Sequence, residues 1–166
     1  MRASSACVTK TMNKPQSIRQ FLQTHVPALN QRPDNFLTFI EGGQLVCTRG
    51  PSPSFMYHYK LTLAMLEYAD HADTLMIPIL IWINQHQPEL LNGEANGHMT
   101  FEAEILNNTT ADITVTLDLT ERVVARLIDD TIQAYHCPEP VLDQEPGPTQ
   151  WEMFAGNVQV QATPLP

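Results

Sequence analysis

The sequence predicts an α+β fold, an antiparallel or mixed β-sheet covered by two main helices, with a C-terminal β-hairpin after a Pro-rich linker. Three observations predict it. Two segments space their apolar residues as helices do, several others alternate apolar with polar residues, and the thirteen prolines gather at the joints between them. A chain of 166 residues supports one core and is short for two domains. The expected organisation is a flexible N-terminal extension over 1–14, a single α+β domain over 15–136, a linker over 137–150, and a terminal hairpin and tail over 151–166.

Pro15 opens the first helix, Ile18, Phe21 and Leu22 form its apolar stripe, and Pro27 ends it. The run FLTFIEGGQLVCTR from Phe36 predicts a hairpin turning at Gly42 and Gly43, since glycine supplies the positive φ of a tight turn. After the break at Pro51–Ser54, a long strand places Phe55, Tyr57, Tyr59, Leu61, Leu63 and Met65 on one face. Asp73 is the expected N-cap of a second helix, DTLMIPILIWINQHQPEL, whose apolar residues cover most of its circumference and call for burial on more than one side.

TFEAEI and ITVTLDLT, joined by a polar turn, predict a hairpin with Phe101, Ala103 and Ile105 sharing a face with Ile113, Val115, Leu117 and Leu119. Its other face is wet and acidic. Asp129 and Asp130 mark the turn of a further hairpin, because aspartate tolerates turn geometry. CPEPVLDQEPGPTQ reads as a linker, and WEMFAGNVQVQ as a short hairpin too small to be stable alone.

Nine basic against eighteen acidic side chains give a net charge of −9, which repels a phosphate backbone and argues against nucleic-acid binding. Cys7, Cys47 and Cys137 are odd in number and widely spaced, which suggests neither a disulfide framework nor a zinc ribbon. The N-terminus has no apolar export region and the longest apolar run, Leu75–Ile83, is far short of a membrane span, so a soluble cytosolic product without membrane contact is expected.

The signatures of common hydrolases, nucleotide binders and zincins are absent. Glu102, Glu104, Asp112 and Asp118 could supply paired acids for glycoside hydrolysis, but alternating acids on an outer sheet face are ordinary solubilising residues. Asp70, His71 and Asp73 could offer mixed metal ligands, yet N-capping explains an aspartate there, and the other histidines are scattered. The Trp82 helix could line a ligand pocket, although a core helix has the same pattern. No catalytic residue, metal or cofactor is expected.

IPILIWINQHQPEL from Ile77 and FEAEILNNTTADITVTLDLTER from Phe101 to Arg122 resemble the central signature of the tail completion protein R family of P2-type contractile phages. The start Met12, Asn13, Lys14, Pro15, the Asp129–Asp130 turn, the linker and the EMFAGNVQV hairpin follow in the family's order. Residues before Met12 depart from it. The resemblance implies a non-enzymatic, tail terminator-like protein that caps the tail tube and sheath and provides the platform for head joining. It implies a homo-oligomeric ring, a hexamer to match tail symmetry, with the tail tube, sheath and head–neck connector proteins as partners, at the tail–neck end of a virion assembled in the host cytoplasm. Carried over by position, Pro78, Trp82 and Pro88 are scaffold residues, and Glu121 and Arg122 are interface candidates together with Trp151 and Phe154 of the terminal hairpin. In such a ring Glu102, Glu104 and Asp118 are candidates to face the lumen, where negative charge lets DNA slide. The alternatives are a head-side neck or connector adaptor and, from another class, a small acidic hydrolase or ligand-binding domain.

Overall fold

The computed structural model describes residues 12–47, 49–92, 98–138, 150–155 and 158–164. Most of the expected N-terminal extension and of the linker lies outside these residues. Helix α1 (Asn13–His25) and the short α2 (Pro27–Gln31) lead through a 3-10 turn at Pro33–Asn35 into strands β1 (Phe36–Cys47) and β2 (Phe55–Tyr68). Helix α3 (Asp73–His86) and a second 3-10 turn at Pro88–Leu91 precede β3 (Met99–Ile105), β4 (Ala111–Ile128) and β5 (Thr131–His136). A separate two-stranded sheet pairs β6 (Gln150–Ala155) with β7 (Val158–Pro164).

The main sheet is antiparallel, in the order β1-β2-β4-β3, with β5 also paired to β4. One of its faces forms the core. Tyr59, Leu61, Leu63 and Met65 of β2 lie opposite Leu119, Leu117, Val115 and Ile113 of β4, and all eight pack against Ile18 and Leu22 of α1 and Leu75, Ile79, Trp82 and Ile83 of α3. The period of two in the strands and the helical spacing in α1 thus meet in a single two-layer core. Trp82 is fully buried and its indole N–H donates to Ser17 Oγ at 3.0 Å, which ties α3 to α1. Pro78 is buried inside α3, and Pro88 opens the 3-10 turn that stops it.

Several sequence expectations need correction. Gly42 and Gly43 do not turn the chain: β1 runs straight through them, with a register shift between Ile40 and Gly42. The requirement at Gly43 is close approach, because a Cβ there would lie 3.0 Å from the His58 carbonyl oxygen and 3.1 Å from Tyr59 Cβ. The strands between the two helices therefore number two, not three. Similarly, β4 does not end near Arg122 but continues to Ile128, so that β3 pairs with its first half and β5 with its last. Asp129 and Asp130 do form the tight turn expected of them, at φ 47 and 59.

Asp73 is the first residue of α3, preceded by Ala72, and is not its N-cap; its backbone N–H donates to His71 Nδ1 at 3.2 Å, and its charge acts on the helix dipole. Helix α3 is covered less completely than its composition suggests, since Leu80 is 43% exposed. The face shared by Phe101, Ala103 and Ile105 with β4 is as expected, but only Met99 at the start of β3 packs against the core, and Phe101 and Ile105 are 67% and 80% exposed.

On the opposite, open face Thr62 is 1% exposed and its hydroxyl has no hydrogen-bond partner among the described residues. A buried unsatisfied hydroxyl is destabilising, and valine has the same shape without it. Thr62→Val is expected to raise the unfolding free energy by about 1 kcal/mol in urea denaturation; a loss of stability would show that the hydroxyl is satisfied in solution.

Candidate functional site

Between the end of the β3 ladder at Leu117 and the start of the β5 ladder at Val123, one edge of β4 has no strand beside it. Side chains and a helix end fill this notch. Gln87, the residue after α3, accepts from the Thr120 backbone N–H at 3.2 Å, as a neighbouring strand would, and donates to Thr120 Oγ1 at 3.1 Å. Lys14 Nζ reaches the same Gln87 oxygen at 2.6 Å.

Glu121 lies at the centre of the notch, 5% exposed. Its carboxylate accepts the backbone N–H groups of Asn13 and Lys14 at 3.0 and 2.9 Å, the Tyr59 hydroxyl at 2.6 Å, and stands 3.1 Å from His136 Nδ1. Helix α1 has neither a side-chain cap of its own nor an acid in its first turn. An acid more than a hundred residues away supplies both, taking two orphan N–H groups and placing negative charge at the positive end of the helix dipole.

Burial, and then the hydrogen bond to Glu121, push the Tyr59 hydroxyl far above its ordinary range. Tyr68 is pushed up to about 12, chiefly by burial and partly by Asp70, against an opposing effect of its bond to Thr74. Both are held as neutral phenols.

The expected site residues separate in the fold. Glu121 is interior, so as an interface residue it is corrected: its carboxylate is occupied within the chain. Arg122 is exposed on the open face, because successive strand residues point to opposite sides. Glu102 and Glu104 are exposed on that same face; Asp118 joins them there, opposite Lys60 and 2.9 Å from His98 Nδ1, while the Asp112 carboxylate accepts the Glu67 backbone N–H at 2.7 Å. His71 and Asp73 form a surface pair at 3.3 Å. Trp151 and Phe154 fall on β6, where the side chains are outside the described residues.

Two concavities adjoin the notch. A cleft of about 300 Å³ runs between the start of α1, His86, His136 and Cys137, with Glu121 at its base. A trough of about 940 Å³ crosses from Gly42 and Gly43 past Tyr59 to Gln87 and His98. It exists partly because Gly42 puts no side chain into the open space beside it. Among the described residues, no three His, Cys, Asp or Glu side chains are grouped to hold a metal ion.

The Glu121 notch joins α1, β2, β4 and β5, and sequence comparison gives the class of the protein as phage tail completion. The chain belongs to the P2 phage tail completion protein R (GpR) family, whose model matches residues 12–140. Tail completion protein R of Escherichia phage P2 is 32% identical over 132 residues, covering 78% of this chain and 84% of that protein. No solved structure matches. Among the described residues no helix is long and apolar enough to cross a membrane.

Sequence reasoning placed Lys14, Gln87 and Glu121 in three separate family-like motifs and did not join them. Their convergence depends on β4 passing through the notch without stopping.

Glu121→Gln removes the charge while keeping the shape, and is expected to cost about 2–3 kcal/mol in urea denaturation, against about 0.5 kcal/mol or less for the exposed Arg122→Gln. Equal, small effects would contradict the capping role.

Because Tyr68 binds its proton more tightly folded than unfolded, the native state holds more protons above the ordinary tyrosine value of 10.0. Its contribution to stability is complete below that pH and is lost as pH rises through about 12. Urea midpoints measured from pH 8 to 12 should fall above pH 10 and fall less in Tyr68→Phe; superimposable profiles would refute this.

Proposed function

We propose that the chain is a non-catalytic ring protein of the contractile phage tail, a hexamer that caps the tail tube and sheath and provides the platform to which the head is joined. Membership of the tail completion family carries this reading. The exposed apolar residues of the sheet support it, since Phe101, Ile105, Leu127 and Ile132 are each 60–80% exposed in the single chain, a large investment in surface that a monomer does not use.

In this reading the open sheet face lines the lumen. Glu102, Glu104 and Asp118 share that face, and their charge, with the net −9 of the chain, keeps DNA from lodging against the wall. Arg122, four residues beyond Asp118 along β4, then lies about 13 Å toward one rim, where with Trp151 and Phe154 it meets tube, sheath or neck proteins. The ring acts at the neck end of the tail, and assembles in the host cytoplasm before heads are attached.

Native mass spectrometry of the purified protein, alone and with purified tail tubes, tests this. A sixfold species, formed freely or on the tubes, is expected; a strictly monomeric protein that leaves the tubes unbound would overturn it.

A further inference from the structure

Resting on the ring reading, we propose that adjacent copies join edge to edge, the outer edge of β3 in one copy forming an antiparallel ladder with the outer edge of β1 in the next. The sheet path ends on these two strands, and each has a strand on one side only. An edge strand presents unpaired backbone N–H and C=O groups, so each is chemically complementary to the other.

Strand direction selects this pairing. All neighbours in the sheet are antiparallel, so along the path β1-β2-β4-β3 the directions alternate and the two terminal strands run oppositely. Copies related by rotation about an axis roughly parallel to the strands keep those directions, and β3 of one copy then meets β1 of the next in antiparallel orientation. The contact is head to tail, the kind that closes into a ring when the rotation allows. A two-fold pairing of β1 with β1 would satisfy one edge and stop at a dimer.

The side chains agree. Isolated proteins guard their edges with proline, lysine or a covering loop. Neither β1 nor β3 contains a proline or a lysine; the guards they do carry are Glu102 and Glu104 on β3, and Glu41 with the register shift between Ile40 and Gly42 on β1, so the stretch of β1 open to pairing ends at Ile40. Both instead carry exposed apolar residues: Leu37 and Phe39 on β1, 43% and 44% exposed, and Phe101 and Ile105 on β3. Register across the sheet puts Thr38, Leu63, Val115 and Phe101 in one row on the helix-covered face, so the next copy's Thr38 would face Phe101 when neighbours stand at the same height. The ladder begins beyond Phe36, whose carbonyl accepts from Arg19 at 2.8 Å; the same guanidinium donates to Thr38 Oγ1 at 3.1 Å, a side-chain contact that leaves the Thr38 backbone groups for the ladder. At that height Leu37–Ile40 meet Met99–Glu102, a contact of four residues roughly 13 Å long. Pairing would also leave the open faces of all copies continuous, as the lumen reading requires.

The test uses the full chain with Cys7, Cys47 and Cys137 replaced by serine. Thr38→Cys combined with Phe101→Cys, together with the register neighbour Ile40→Cys against the same Phe101→Cys, is oxidised on tail tubes and resolved without reductant. A ladder of crosslinked species up to the ring, from at least one register, is expected. Phe39→Lys and Phe101→Lys, both on exposed positions, should each abolish the sixfold species while leaving the urea midpoint unchanged. Rings that persist in both lysine variants with no crosslink in any register would overturn the edge pairing and leave the ring standing. Crosslinking of Phe101→Cys to Val160→Cys in β7, in place of β1, would overturn it in favour of the terminal hairpin as occupant of that edge. Wild-type protein that never forms a ring would remove both readings.

Discussion

The structure depends on one buried carboxylate. Glu121 stands midway along the longest strand, at the point where that strand has lost its neighbour, and the first turn of α1 is set down on it. A charge is costly to bury unless donors surround it. Here they come from α1, from Tyr59 on β2 and from His136 on β5, while Gln87 after α3 occupies the next position along the strand. The charge therefore stabilises the fold only when four distant parts of the chain are already in place, which makes it a device for specifying where the helix layer sits as much as for adding stability.

That placement has a consequence at the periphery. Helices fixed over β2 and the middle of β4 cover Leu61, Leu63, Val115 and Leu117 completely and reach the start of β1 at Phe36, but leave Phe101 and Ile105 of β3 uncovered. The apolar face of β3 and the tip of the β4–β5 hairpin are left in solvent, with Leu127 70% exposed. The same notch that admits the helix end thus separates a finished core from unfinished edges.

Much of the core was legible in the sequence because periodicity reports burial directly. The alternation from Phe55 to Met65 and from Ile113 to Leu119 and the helical stripe at Ile18 and Leu22 survive unchanged in the structure. Breaks in that pattern were harder. Gly42 and Gly43 look the same whether they turn a chain or let one strand pass close to another, and only the neighbouring His58 and Tyr59 decide. Thr120, Glu121 and Arg122 interrupt an apolar alternation and suggest a strand end, yet a buried acid with distant donors produces the same interruption in mid-strand. Two of its donors are backbone N–H groups, which carry no sequence signature at all, and Tyr59 and His136 lie far away in the chain. The family resemblance marked Glu121 without saying that its carboxylate is satisfied inside the chain.

The direct test is native-state hydrogen exchange at the amides of Asn13 and Lys14. The first N–H groups of a helix ordinarily lack partners and exchange readily. If the Glu121 carboxylate organises the fold, both amides will be protected nearly as strongly as the core of β4, and in Glu121→Gln they will lose that protection before the strand does. Fast exchange at both positions in the unaltered protein would contradict the account.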